Sequence, residues 1–328
     1  MSKQQRHFIG FGCVLVAALA LMYLGFFDGA ERALLDAEFR YLRANYRQPV
    51  EKDVVVIGID EATLAAQPEP FALWHPHLGV ILKGLTVAKP AVVGLDIPLP
   101  VRSFNFLIPQ YDKPLLEGIE GLSKVAPVVL AQTLDDRGNQ RTIFPAYLAI
   151  AGADSVGPVI VCRDADRIVR RYDERECSFG PSRTSFANLM AQRLGIKKKF
   201  WRGFINYGLG DAITYIPGSK VLEWSERNDT ASLIAAFRGK PVIVGQIQPF
   251  ADRFPLPVAL AAFEPETRLS PGLLIQVQAL RSMLGEGLIT PLSESLALVL
   301  AAAASLFWFG AGSWRKLLLF IIAVAAVI

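Results

Sequence analysis

The stretch VVVIGIDE at residues 54–61 decides the fold. Six apolar or glycine positions run without a break into two acids. A strand half-exposed to water would alternate polar and apolar residues, so a continuous β-branched run reads as a strand buried on both faces. AVVGLDI at residues 91–97 repeats the pattern, again ending in an aspartate, and PVIVG at 241–245 reads the same way. Between the first two lies a helical pattern at 77–85, entered after Pro76. A second helix follows at 113–124, then a third strand at 128–133. Strand and helix in alternation predict an α/β domain with a largely parallel sheet flanked by helices.

The middle of the chain departs from this alternation. Residues 156–162 and 168–172 flank DADR at 164–167, a hairpin signal. Beyond it come a helix over 185–194, a strand over 204–207, a helix over 231–237 and an amphipathic helix over 272–284. Nearer the start, residues 31–47 carry Leu34, Leu35, Phe39, Leu42 and Tyr46 at three- and four-residue spacing, the mark of a helix.

Composition adds membrane segments at the two ends. The 328 residues are 52% hydrophobic and 20% charged, fewer charges than a soluble domain carries. Residues 8–27 hold no charge and at about 1.5 Å per residue would cross a bilayer core. They run too long for a signal peptide and end in a poor cleavage site, which predicts an uncleaved anchor. A second apolar segment occupies 292–311, and a third starts at 317 and is cut at Ile328, which reads as a fragment of a longer protein. Lys3 and Arg6 precede the first span, and Arg315 and Lys316 lie between the second and third. The positive-inside rule then puts residues 1–7 and 312–316 in the cytoplasm and 28–291 outside it, in the cell (inner) membrane of a multi-pass protein. Net charge of +4 is dispersed, with no basic run interleaved with aromatics, which argues against nucleic acid as a partner.

Three groups of residues could carry chemistry. Asp60, Glu61, His75 and His77 could bind a metal or work as acid and base, although an i, i+2 histidine pair has little metal specificity and polar groups before a helix commonly cap it. Asp60 and Asp96 end what read as adjacent parallel strands. With Asp252 they could form an acidic pocket for a cationic solute or metal, since open sheets bind ligands at that edge. The plainer reading is that each carboxylate fixes a turn through loop amides. The arginines of 163–171 are interleaved with acids and read as a self-paired hairpin. Cys162 and Cys177 could bridge in an oxidising compartment or remain two free thiols; spacing leaves both open. No nucleophile elbow, phosphate loop or histidine-based triad is legible, and no cofactor is expected.

The landmarks, taken in order, carry a resemblance. LD at 35–36 and FR at 39–40 follow the first span, then VIGIDE at 56–61, Trp74 before a helix, and VGLDI at 93–97. DADRIVRR at 164–171, INY at 205–207, GKPVIVG at 239–245, DRFPLP at 252–257 and SPG at 270–272 complete the series. The chain thereby resembles the CHASE2 family of extracytoplasmic sensor domains over about residues 30–290. It departs from the family's pattern at LWHPH (73–77) and at LLIQVQ (273–278), where members more often place a histidine. The resemblance implies a transmembrane receptor's input module, coupled to a cytoplasmic output similar to a nucleotide cyclase or protein kinase that residues 1–328 do not contain. Taken with the groups above, the ligand-binding candidates are Asp60, Glu61, Trp74, His75, Asp96 and Asp252. The expected partners are the lipid bilayer, a small-molecule or protein stimulus and a second copy of the chain. Two other readings stay open: an assembly protein whose outer domain docks a partner, and a metal-dependent hydrolase using Asp60 with His75 or His77.

Overall fold

The computed structural model describes residues 28–51, 53–133, 139–177 and 184–293, with a few scattered positions toward either end. Apart from those positions and residues 292–293, the expected spans at 8–27, 292–311 and 317–328, the loop at 312–316 and the terminus 1–7 lie outside the described residues. Among the described residues no helix is long and apolar enough to cross a membrane. Residues 41–289 form one compact unit and residues 1–40 with 290–328 another, so the first helix, α1 (Asp28–Asn45), starts in one and ends in the other.

Six parallel strands build the main sheet. They are β1 (Val55–Ile59), β2 (Val92–Asp96), β3 (Val128–Gln132), β4 (Val156–Pro158), β8 (Ile216–Pro217) and β9 (Pro241–Gln246), in the spatial order β4-β3-β2-β9-β1-β8. The uninterrupted apolar runs are explained by position, because both sheet faces are covered by helices. β9 corrects one expectation. It pairs Val55–Ile59 on one side and Val92–Asp96 on the other, so β1 and β2 are not neighbours. Local pattern cannot reveal a strand that returns from far along the chain to be inserted.

One face carries α3 (His75–Ala88), α4 (Lys113–Ser123), α5 (Pro145–Ala151), α7 (Gly218–Glu226) and α8 (Thr230–Phe237). Ile81, Leu82, Leu85, Leu115, Ile119 and Phe237 pack there against Ile57, Val93, Leu95, Val242 and Val244. Truncating Leu82 or Ile119 to alanine would cost about 2–5 kcal/mol. α3 and α4 cross closely because each offers a glycine at the contact: a Cβ on Gly79 would overlap the Pro114 carbonyl, and one on Gly118 would lie 3.0 Å from the Gly79 oxygen. The opposite face holds α6 (Phe186–Arg193) and α9 (Gly272–Leu284). Gly94 of β2 leaves room there for Phe186 and Met190.

Several boundaries differ from the sequence expectation: the first helix spans Asp28–Asn45, not 31–47, and the strand expected over 204–207 lies at Arg202–Phe204. α3 starts at His75, not after Pro76, because a proline in the first helical turn loses no hydrogen bond. The run 156–162 divides: its first part is β4, the edge of the main sheet, and only β5 (Cys162–Arg163) pairs with β6 (Val169–Asp173) in the hairpin. β7 (Arg202–Phe204) adds a third strand to that hairpin. The remaining elements are short: α2 (Glu61–Ala65), and β10 (Arg253–Pro255) paired antiparallel with β11 (Leu269–Pro271) before α9.

Candidate functional site

In a parallel sheet every strand delivers its following loop to the same edge, and Asp60, Asp96, Gln248 and the starts of α3 and α4 all meet the carboxyl edge here. The candidates divide among three surroundings along it.

The first is closed. His75, 7% exposed, stacks on Tyr111 with ring centroids 4.5 Å apart, and its Nδ1 lies 3.0 Å from Asp112 Oδ1. Asp112 is fully buried and well supplied with donors: Ser103 Oγ at 2.5 Å and the Phe104 amide at 3.1 Å reach Oδ2, and the Tyr147 hydroxyl stands 3.5 Å from Oδ1. Burial lowers the His75 pKa, against the opposing pull of Asp112, and so favours neutral imidazole. Burial raises the Tyr147 pKa, which keeps its hydroxyl protonated. Trp74, with no exposed surface, packs 5.7 Å from Phe71 and donates its Nε1 hydrogen to the Glu69 carbonyl at 3.3 Å. His77 Nε2 faces Glu69 at 3.2 Å.

The second is a cleft of about 230 Å³ beside the end of β1. Asp60 stands at its mouth. Oδ1 accepts from the Thr63 amide at 2.7 Å, capping α2, and Oδ2 accepts from the Tyr215 hydroxyl at 3.0 Å. Burial, reinforced by the bond to Asp60, pushes the Tyr215 pKa up to about 12. The Tyr215 ring meets Phe263 edge-on at 4.9 Å. Glu61 lies exposed at the rim, and Glu264, also lining the cleft, is held bidentately by Arg253 at 2.5 and 2.8 Å.

The third is the acidic pair. Asp96 ends β2 opposite Gly245 of β9, and side-chain alternation points it away from Leu95 and toward the α9 face. A Cβ on Gly245 would lie 2.9 Å from Leu273 Cδ1 and 3.3 Å from Asp96 Cβ, so the first turn of α9 covers this spot. Burial, with the nearby charge of Asp252, raises the Asp96 pKa to about 7. Asp252 itself is exposed, and its carbonyl accepts from the Gly272 amide at 3.0 Å.

The sequence candidates therefore do not form one site. Asp60 bonds to Thr63 and Tyr215 while His75 bonds to Asp112, so the acid–imidazole pairing a hydrolase would need is not assembled. Among the described residues no three His, Cys, Asp or Glu side chains converge as metal ligands. Tyr215, Gln248, Phe263 and Glu264, like Asp112 and Tyr147, come from distant segments of the chain and carried no signal in the sequence.

Other charged groups are bound up in structure. Arg170, 1% exposed, bridges Asp164 at 2.8 Å and Asp166 at 2.7 Å, so the hairpin pairs within itself. The buried Glu174 accepts from the amides of Ser185 (2.8 Å) and Trp201 (2.7 Å) and from Asn188 Nδ2 (3.0 Å), fixing the start of α6. Cys162 and Cys177 are bridged, with α-carbons 5.4 Å apart.

A match to the CHASE2 domain extends over residues 13–325. The chain belongs to the CHASE2 family. Neither a curated protein nor a solved structure matches it. Membership identifies a sensory input module of extracytoplasmic type, and the α/β fold with its six-stranded parallel sheet is the body of that CHASE2 module.

Proposed function

We propose that this CHASE2 chain is the input half of a transmembrane receptor, in which a solute at the carboxyl edge of the sheet biases the membrane helices and, through them, a cytoplasmic output module. The observation that carries the reading is the loop at 206–211, which binds both the segment entering the domain and the helix leaving it. Arg43 Nη1 of α1 donates to the Tyr207 carbonyl at 2.8 Å, and Gln48 exchanges backbone bonds with Gly208 and Gly210 at 3.1 and 2.8 Å. From the other side Gln278 Nε2 of α9 donates to the Asn206 and Leu209 carbonyls at 2.7 and 3.0 Å. Arg281 binds Asp53 through two bonds of 2.7 and 2.6 Å and reaches the Asp211 carbonyl at 2.9 Å.

Asp53 leads straight into β1, whose far end is Asp60. A shift at the carboxyl edge thus has a short covalent and hydrogen-bonded path to both chain segments that lead, in sequence, to the expected spans. A stimulus can drive this only by binding two arrangements of the domain unequally. The bridged Cys162 and Cys177 accord with an oxidising compartment for residues 28–291.

The test is topology and output together. Alkaline phosphatase inserted within residues 134–138 should be active and a fusion at 312 inactive, while the reading frame past Ile328 should encode further spans and a cyclase or kinase module. Inverted reporter activity would overturn the reading. A stop codon soon after the last span would move the weight to assembly. That second reading has its own support, because Val101, Phe106, Leu107 and Ile108 leave an apolar loop in solvent, with Phe106 67% exposed. It predicts a constitutive homodimer by sedimentation.

A further inference from the structure

We propose that the cleft beside Asp60 binds a small organic cation, a primary amine or guanidinium that also carries an uncharged hydrogen-bond acceptor. The inference rests on the sensory reading above and specifies its ligand. Asp60 and Glu61 give the mouth of the cleft two carboxylates, and Glu264 adds a third whose charge Arg253 offsets. The balance is negative, and among the described residues each Asp60 oxygen has one protein donor, at 2.7 and 3.0 Å, which leaves lone pairs for a cation's N–H groups.

The independent observation is Gln248. It lines the cleft, is 1% exposed, and its Nε2 has no hydrogen-bond partner among the described residues. Leaving a buried amide without an acceptor is costly, so such groups normally find a partner in the protein, in water or in a ligand. An amide N–H calls for an oxygen, and a bare metal ion cannot supply one. The same negative field disfavours a carboxylate on the ligand, which excludes a zwitterion as the preferred class. Tyr215 and Phe263 give the cation an aromatic wall. About 230 Å³ suits a solute of a few heavy atoms.

Titration calorimetry of the whole chain in nanodiscs would test this with glycinamide as probe. Acetamide, glycine, succinate and calcium chloride serve as controls. Saturable binding of glycinamide is expected, weakening as salt rises, with acetamide and succinate silent and glycine weaker. Glu61→Gln removes an exposed carboxylate and Asp60→Asn keeps an acceptor for the Thr63 amide, so both should fold. Each should weaken glycinamide about tenfold, as expected for loss of one charge-assisted bond. No glycinamide binding, binding unchanged in both variants, or binding of calcium alone would overturn the assignment. Those results would leave the topology and output test untouched, so the ligand class and the receptor reading fail separately.

Discussion

Asp112 and Asp96 belong to the same edge of one sheet, on opposite faces of it, and are treated in opposite ways. Asp112 is buried among donors supplied by His75, Ser103, the Phe104 amide and Tyr147, side chains drawn from α3, α5 and the loop before α4. Asp96 is only partly buried, has another carboxylate for a neighbour and is drawn toward its neutral form. A wired carboxylate locks elements together, and changing its charge state is costly. A poorly solvated carboxylate facing a like charge is held near a balance that a proton or a cation can tip. The contrast teaches that, of two acids at a ligand-type edge, the less satisfied one is the better candidate for response.

The comparison can be broken by mutation. The largest effect is expected for Asp112→Ala, which strands His75, Ser103 and the half-buried Phe104 amide without an acceptor. Denaturant titration should show a loss of about 3 kcal/mol. Asp96→Asn should do the reverse. A folded-state pKa raised to about 7 means that the contribution of Asp96 to stability is complete below its ordinary carboxylate range and is lost as pH rises through about 7. The variant should therefore match the parent near pH 4 and exceed it by about 1–2 kcal/mol above pH 8, seen in melting curves across that range. Equal pH profiles for parent and variant would sink the view that Asp96 is poised.

Tyr147→Phe sharpens the other side. It removes only the hydroxyl beside His75 and Asp112 and should cost about 1 kcal/mol. The His75 contribution should follow pH with the opposite sign from Asp96. Its folded pKa lies below the ordinary imidazole value, so its share of stability is present above about pH 6.5 and is lost as pH falls through the folded value. His75→Gln should flatten that acid limb in the same melting series. Glu61→Gln, at the exposed rim, should stay within about 0.5 kcal/mol of the parent.

Much of the fold was legible because buried parallel strands announce themselves: VVVIGI, VVGLD and PVIVG all became central strands. The helix at 272–284 was read to the residue, since its apolar pattern ends at a glycine. What stayed hidden depends on contacts between distant segments. The place of β9 between β1 and β2 separates Asp60 from Asp96, and no local pattern encodes an insertion. α5, α7, β8 and the β10–β11 pair were missed as well, short elements whose residues satisfy tertiary packing more than any period. The candidate acids were visible as strand-ending aspartates, but their partners were not. Asp112 sits 37 residues from His75, and Tyr215 sits 155 residues from Asp60. Trp74 stood out as a landmark of the family resemblance, and the structure buries it in the core.

The inserted strand also sets an order of events for a chain made from its N-terminus. β1, β2, β3 and β4 can all be synthesised by residue 158, yet the two central ones lack their common neighbour until residue 246 has emerged. Until then Val55–Ile59 and Val92–Asp96 present unpaired apolar edges, the kind that recruit strands from other chains. Folding of this domain is therefore non-local, slow and exposed to aggregation for most of translation. A fragment ended before Pro241 should collect in inclusion bodies, whereas one that reaches past α9 should not.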